Sequence, residues 1–86
     1  MKIRLKETFK KDYRKLPANL QMLADSKVEM LADNPRHPSL RVKKMEGRKN
    51  IWEASITMKY RFTFEIEEEA FLLRRVGEHD KVLKNP

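Results

Sequence analysis

Two histidines are the side chains in this sequence that can exchange a proton near neutral pH. His79 lies two positions after Gly77 near the end of the chain, and His37 lies between Pro35 and Pro38. From residue type alone, His79 is either a group for proton transfer or an ordinary surface residue near the end of the chain, and we interpret His37 first as a structural residue. The sequence contains no cysteine, and two histidines alone provide no plausible cluster of metal ligands. We therefore expect no metal site, and we also expect no cofactor.

Basic residues outnumber acidic ones and collect in two parts of the chain. The 20 Lys and Arg residues exceed the 13 Asp and Glu residues by seven, and the isoelectric point is about 9.9. One basic cluster occupies residues 1–15 and the other occupies residues 41–49. This charge favours an anionic partner such as nucleic acid, anionic lipid or an acidic protein. The candidate phosphate contacts are Lys43, Lys44, Arg48, Lys49 and Lys81, with a solvated basic surface as the alternative.

The length of the chain limits its organisation. With 86 residues it can form one modest core but not two domains that each fold alone, so we expect one domain over residues 1–86. The start, Met-Lys-Ile-Arg-Leu-Lys, alternates charged and apolar residues and lacks the apolar segment of a signal peptide or membrane span. The prediction is a cytoplasmic protein with no membrane partner.

The first residues have the pattern of a strand followed by a helix. Residues 2–6 alternate, with Ile3 and Leu5 on one side, which is typical of a short strand. Thr8 is a possible cap for the helix that follows. That helix is predicted by apolar residues that recur at helical spacing, namely Phe9, Tyr13 and Leu16.

A second helix is predicted from Pro17, which fits the first turn of a helix, to the end signal Asn34-Pro35. Its apolar stripe consists of Leu20, Leu23, Ala24, Val28 and Leu31. The short connection at Pro17 predicts an antiparallel helical hairpin. Residues 35–39 contain two prolines and are predicted to be an irregular loop.

Four strands are predicted in the second half of the chain. A basic strand runs from Leu40 to Gly47, and a strand over residues 51–57 places Trp52 towards the core. Residues 60–66 alternate most clearly between aromatic and polar side chains, and residues 70–76 form the last strand. Gly77 is expected to end that strand, and residues 78–84 to form a turn of helix or remain irregular.

These elements predict an α+β fold of two layers, in which the N-terminal strand and the helical hairpin pack on an antiparallel β-meander. One face of the sheet is then covered by the helices, and the other face is open and polar. Arg61 lies on the open face, together with Glu53, Ser55 and Lys59 if the alternation is read correctly. We expect His79 to lie over this mixed-charge surface.

The order of elements and several short segments resemble the RelE/ParE toxin superfamily. The segments are His-Pro-Ser-Leu-Arg at 37–41, Lys44 to Gly47, Trp52-Glu53, Tyr60-Arg61-Phe62, and Leu72-Leu73-Arg74-Arg75-Val76-Gly77-Glu78-His79-Asp80. Each is weak alone, but their order and spacing extend over some 45 residues. The last segment is most similar to the YafQ-type branch of the RelE toxins, in which a Gly-x-His follows the last strand.

The resemblance implies a toxin that is silenced by a cognate antitoxin and that cleaves messenger RNA on the ribosome without a metal. It implies catalytic roles for His79, for Arg61 as a phosphate ligand, and for Arg75. Aligning Gly77 and His79 with the family favours Arg75 over Arg74, which is left as a salt-bridge or surface residue. His37 becomes a structural residue or a peripheral RNA contact.

The third strand departs from the family pattern. Related toxins often carry a base or an imidazole where this chain has Glu53 and Ser55. Either Glu53 acts itself, or Lys59 compensates, or the nuclease is weak. Two other functions remain open: a non-catalytic inhibitor of DNA gyrase like ParE, and a general basic RNA-binding module, although no aromatic RNA-stacking motif is present.

Overall fold

The computed structural model describes all residues from Met1 to Pro86. A short strand and two helices come first, and four strands and a third helix follow. The elements are β1 (Lys2–Leu5), α1 (Glu7–Arg14), α2 (Ala18–Asp33), a 3₁₀ turn (Pro38–Leu40), β2 (Lys43–Lys44), β3 (Trp52–Ser55), β4 (Tyr60–Ile66), β5 (Ala70–Glu78) and α3 (His79–Lys84).

The five strands form one mixed sheet in the order β1-β5-β4-β3-β2. Strands β2 to β5 form the predicted antiparallel meander. Strand β1 pairs with β5 in parallel and in register, from Lys2 opposite Ala70 to Leu5 opposite Leu73. The predicted α+β class is therefore confirmed, with β1 as a parallel edge strand.

The main core lies between one face of the sheet and the helical hairpin. Phe62 and Phe64 of β4 are fully buried, together with Leu73 of β5. Helices α1 and α2 contribute Phe9, Ala24 and Leu31, as their apolar spacing indicated. Of the predicted stripe on α2, Leu23 is exposed instead, because that position faces away from the sheet.

The start of α1 differs from the prediction. The helix begins at Glu7, and Thr8 does not cap it. The Thr8 hydroxyl instead donates to the Arg74 carbonyl on β5 at 2.7 Å. Strand β1 has ended at Leu5 by this point, so a side chain of α1 satisfies a backbone group on the edge of β5. Pro17 was predicted to lie in the first turn of α2, but it directly precedes the helix.

The region before β3 is less extended than predicted. Residues 38–40 form a 3₁₀ turn, in which Pro38 occupies the first position and His37 Nδ1 accepts the Ser39 N–H at 3.1 Å. Arg41 then adopts a left-handed conformation, with φ 47°. The predicted strand from Leu40 therefore shortens to β2, and Leu40 is buried as part of the core.

The last strand is longer than predicted because Gly77 does not end it. Gly77 pairs with Arg61 inside the β4–β5 ladder, and β5 continues to Glu78. Helix α3 follows directly at His79. A Cβ at Gly77 would lie 3.3 Å from Val82 Cγ2, so the glycine allows α3 to pack closely on β5.

Candidate functional site

Arg61 lies on β4, and its guanidinium turns back towards the connection between β3 and β4. Its Nη1 donates to the backbone carbonyls of Thr57, Met58 (2.9 Å) and Tyr60 (3.1 Å). Its Nε lies 3.9 Å from Glu53 Oε1 on β3, and both side chains are largely buried. The arginine is thus held by neutral carbonyls on one side and by a carboxylate on the other.

His79 is the first residue of α3 and is fixed to the same connection. Its backbone N–H donates to the Lys59 carbonyl at 2.7 Å. Its ring is 45% exposed, and Nδ1 lies 3.2 Å from Asp80 Oδ1. The structure therefore brings His79, Arg61 and Lys59 to one depression, which we call the histidine depression; its other lining residues are Met58, Glu78 and Asp80.

The histidine depression has mixed charge. Lys59 and Arg61 are balanced by Glu78 and Asp80, apart from any charge on His79. Its volume is about 390 Å³, and it is open to solvent. An imidazole beside two cations can take a proton from an attacking oxygen or give one to a leaving oxygen at a bound phosphodiester, while the cations stabilise the negative charge around phosphorus.

Arg75 does not line the histidine depression. Its guanidinium forms a two-point ion pair with Asp12 of α1, from Nε at 2.7 Å and from Nη2 at 3.1 Å. The hydrogen bond to Asp12 raises the pKa of Arg75, and desolvation opposes that effect. Asp12 also accepts the Val76 N–H at 3.2 Å, so this carboxylate ties α1 to the edge of β5.

A β-bulge explains why alternation does not separate Arg74 from Arg75 in the sequence. Thr63 is opposite Arg75, whereas Phe64 is opposite Leu73, and Arg74 is the extra residue. Arg74 pairs with Glu65, as the sequence interpretation of a salt-bridge residue suggested. Its Nε also donates to the Pro86 carbonyl at 2.9 Å.

The polar face of the sheet is less open than predicted, because α3 packs over β4 and β5. Val82 of α3 is buried, and Thr63 on β4 is fully buried beneath the C-terminal residues. The Thr63 hydroxyl donates to the Pro86 carbonyl at 3.3 Å. In the sequence, Gly77 could have indicated that a helix packs here. We interpreted this glycine as the end of the strand instead of as the contact point of a helix.

A second cleft, which we call the cationic cleft, is lined by the residues at the end of α3. Its volume is about 440 Å³, and five of its ten lining residues are basic, whereas one is acidic. It is lined by Lys6, Glu7, Thr8, Arg48, Ile51, Arg74, Arg75, Lys84, Asn85 and Pro86. Of the predicted RNA contacts, Arg48 alone lies here; Lys6 and Lys84 were missed because nothing in the sequence pattern joins the two ends of the chain.

The other predicted RNA contacts lie outside the cationic cleft. Lys43, Lys44 and Lys49 are exposed on β2 and on the turn after it. Lys81 on α3 lies between the histidine depression and α1, beside a pocket that Lys15 and Arg75 also line. No group of three His, Cys, Asp or Glu side chains is placed to hold a metal ion. None of the helices combines the length and apolar composition needed to cross a membrane.

The sequence matches no protein-family model and no curated protein. Solved structures do match. A copper-bound mutant toxin from Helicobacter pylori has a TM-score of 0.81 at 23% identity, over 95% of this chain and 98% of that one. YafQ from Escherichia coli has a TM-score of 0.78 at 13% identity, over 92% and 93%. RelE in the intact RelBE toxin-antitoxin complex of E. coli has a TM-score of 0.71 at 19% identity, over 90% and 94%.

The chain has the RelE/ParE toxin fold. The resemblance seen in the sequence is confirmed at the level of the fold, over nearly the whole chain. A YoeB/ParE toxin from Agrobacterium tumefaciens also shares it, with a TM-score of 0.79 at 15% identity, over 92% of this chain and 99% of that one. Because a shared fold does not determine function, the function must be argued from this chain's own residues.

Proposed function

We propose that this protein is the toxin of a type II toxin-antitoxin system and cleaves messenger RNA on the ribosome. The observation that carries the proposal is the histidine depression, in which His79 of α3 meets Arg61 of β4 and Lys59. Lys59 and Arg61 lie directly before β4 and at its start, His79 begins α3, and the His79–Lys59 hydrogen bond joins these two parts of the chain. The exposed imidazole is accessible to a substrate.

In the proposed reaction, the messenger's own 2′-hydroxyl attacks the adjacent phosphorus and the bond from phosphorus to the 5′-oxygen breaks. The products are a 2′,3′-cyclic phosphate and a free 5′-hydroxyl. A base must accept the proton of the 2′-hydroxyl, and an acid must protonate the leaving oxygen. No nucleophilic side chain or metal ion is required by this route.

We assign the acid role to His79, because its exposed ring can reach a leaving oxygen in the depression. Arg61 stabilises the charge on the phosphorane through the donors that the backbone carbonyls leave free. Glu53 is the candidate base and holds Arg61 in place, with Lys59 as the alternative. Arg75 contributes to this site only if Asp12 releases it or if it acts on a more distant phosphate.

The proposed partner besides the ribosome and its messenger is a cognate antitoxin, as in the RelBE complex that shares the fold. The groove between β1, α1 and α2 suits such a partner, because seven of its eleven lining residues are apolar. We further propose that the protein works in the cytoplasm, where ribosomes and an antitoxin are both present.

The alternative function is non-catalytic inhibition of DNA gyrase in the manner of ParE. The observation in its favour is that two of the three catalytic residues expected from the sequence resemblance, Arg61 and Arg75, are engaged internally. Arg61 is bound to three carbonyls and lies near Glu53, and Arg75 is bound to Asp12. In this case the protein would trap cleaved plasmid in a gyrase assay.

The test is a reconstituted translation reaction, in which messenger ends are mapped by primer extension. We expect cleavage in the ribosomal A site, and we expect His79→Ala to reduce its rate by about 100-fold or more, the usual contribution of a general acid. His37→Ala is the matched control, because that histidine caps the 3₁₀ turn away from the depression. Intact messenger with accumulated cleaved plasmid would replace the nuclease by the gyrase function.

A further inference from the structure

The cationic cleft contains three cations that have no acidic partner. Lys6 follows β1, Arg48 lies in the turn between β2 and β3, and Lys84 is the last residue of α3. None of the three is among the side chains that form an ion pair. Three separate segments thus bring unpaired positive charges to one cleft.

The other two basic residues of the cleft are already paired with acidic residues. Glu65 neutralises Arg74, and Asp12 neutralises Arg75. The single acid among the lining residues, Glu7, is mostly exposed and faces Lys10 instead. No acidic side chain therefore pairs with Lys6, Arg48 or Lys84, and an anion bound in the cleft would interact favourably with all three.

The lining of the cleft indicates which anion it suits. Ile51 is its one hydrophobic residue, and it contains no aromatic side chain. A docked peptide would need apolar contacts, which the groove beside α1 and α2 offers and this cleft does not. Bases would find no ring to stack on. The cleft therefore suits a chain of phosphates that is recognised by charge alone.

The position of the cleft relates it to the histidine depression. His79 and Lys84 are the first and last residues of α3, which is about 7.5 Å along the helix axis between their Cα atoms. We propose that the cationic cleft binds the phosphate backbone of single-stranded RNA, on the segment next to the bond that His79 acts on. The choice of RNA as the ligand rests on the proposed function, whereas the inference that the cleft suits a chain of phosphates does not.

The experiment measures binding of a fluorescein-labelled single-stranded RNA of about ten nucleotides, a length comparable to known single-strand sites. All its 2′-hydroxyls are methylated, so that it cannot be cleaved. Fluorescence anisotropy is recorded between about 50 and 200 mM NaCl. The test variant combines Lys6→Ala, Arg48→Ala and Lys84→Ala. The control combines Lys2→Ala, Lys11→Ala and Arg36→Ala, which remove the same charge from exposed residues outside the cleft.

Each phosphate contact with a single strand contributes about 0.7 to the slope of log K against log salt, or about fivefold in affinity at 0.1 M. The test variant should therefore bind about 100-fold more weakly, with a slope smaller by about 2, and the control should stay within about threefold. Affinity should be the same for RNAs of different base composition. Equal weakening in both variants, or no binding by the unchanged protein, would overturn the proposal.

Two further arms separate the possible failures. If a glutamate-rich peptide displaces the RNA at equal charge concentration and loses affinity in the test variant alone, the cleft is a protein site and the RNA proposal is overturned. If RNA binding depends on the cleft but messenger stays intact in the translation reaction, the cleft proposal stands and the nuclease function fails. If cleavage depends on His79 but the test variant binds RNA as tightly as the unchanged protein, the nuclease function stands and the cleft proposal fails.

Discussion

The two faces of the sheet differ in what covers them and in what they do. One face is covered by α1 and α2 and contains the core, whose largest fully buried side chains include Phe62 and Phe64. The other face carries Glu53, Arg61 and Thr63, and the six-residue helix α3 is its cover. The first face supplies stability through apolar burial, whereas the second brings Arg61 to the histidine depression beside Lys59 and His79.

The largest expected effect concerns the core face. Phe62→Ala should lower the free energy of unfolding by about 3–5 kcal/mol, because it removes a fully buried ring and leaves a cavity. Urea denaturation followed by circular dichroism measures this loss. Met58→Ala is the control outside the core. The Met58 side chain is 86% exposed, so this substitution should change the free energy of unfolding by no more than about 0.5 kcal/mol. Similar losses in both variants would contradict the assigned core.

A smaller effect is expected where α3 contacts the sheet. Gly77→Val should cost about 1–3 kcal/mol, because even a Cβ at this position approaches Val82 Cγ2 to 3.3 Å. Val82→Ala removes the atom that is contacted, so the double variant should recover part of the loss. Denaturation of the two single variants and the double variant gives the coupling. Strict additivity would show that Gly77 does not determine how α3 packs.

The comparison of the faces also explains what the sequence could predict. Strand β4 was predicted over its whole length, because its aromatic residues alternate with polar ones and its partners lie on both sides. Helices α1 and α2 were predicted from apolar residues at helical spacing, among them Phe9 in α1 and Ala24 and Leu31 in α2, and their hairpin from the short connection at Pro17. Both depend on periodic burial against one core, which a sequence records directly.

The polar face was predicted less well, because its geometry depends on single irregular positions. The bulge at Arg74 changes which residues share a face, and it cannot be detected from alternation. Gly77 has two possible roles, strand end or contact point, and only the position of α3 separates them. The pairing of Asp12 with Arg75 joins residues 63 positions apart, which no local pattern records.

The ion pair between Asp12 of α1 and Arg75 of β5 is expected to have an intermediate effect on the free energy of unfolding. Asp12→Ala should cost about 1–2 kcal/mol, because the Val76 N–H loses its acceptor and Arg75 loses its partner. Asp12→Asn keeps an acceptor oxygen for Val76 and should cost less. The measurement is urea denaturation at neutral pH. Equal losses in the two variants would mean that the Val76 hydrogen bond contributes nothing and that the charge alone acts.

The smallest expected effect is at the surface of the helical hairpin. The Tyr13 hydroxyl donates to Asp25 Oδ1 at 2.8 Å, and this hydrogen bond raises the pKa of Tyr13, with smaller contributions from desolvation and the charge of Asp25. A raised folded-state pKa means that the contribution is fully present below the ordinary tyrosine pKa of about 10 and is lost as the pH rises through the folded-state value. Tyr13→Phe should therefore cost about 0.5 kcal/mol or less at pH 7. Denaturation of both proteins at neutral pH and above pH 10 should show the difference shrinking at high pH, and a difference that grows there would reverse the assigned direction of the pKa shift.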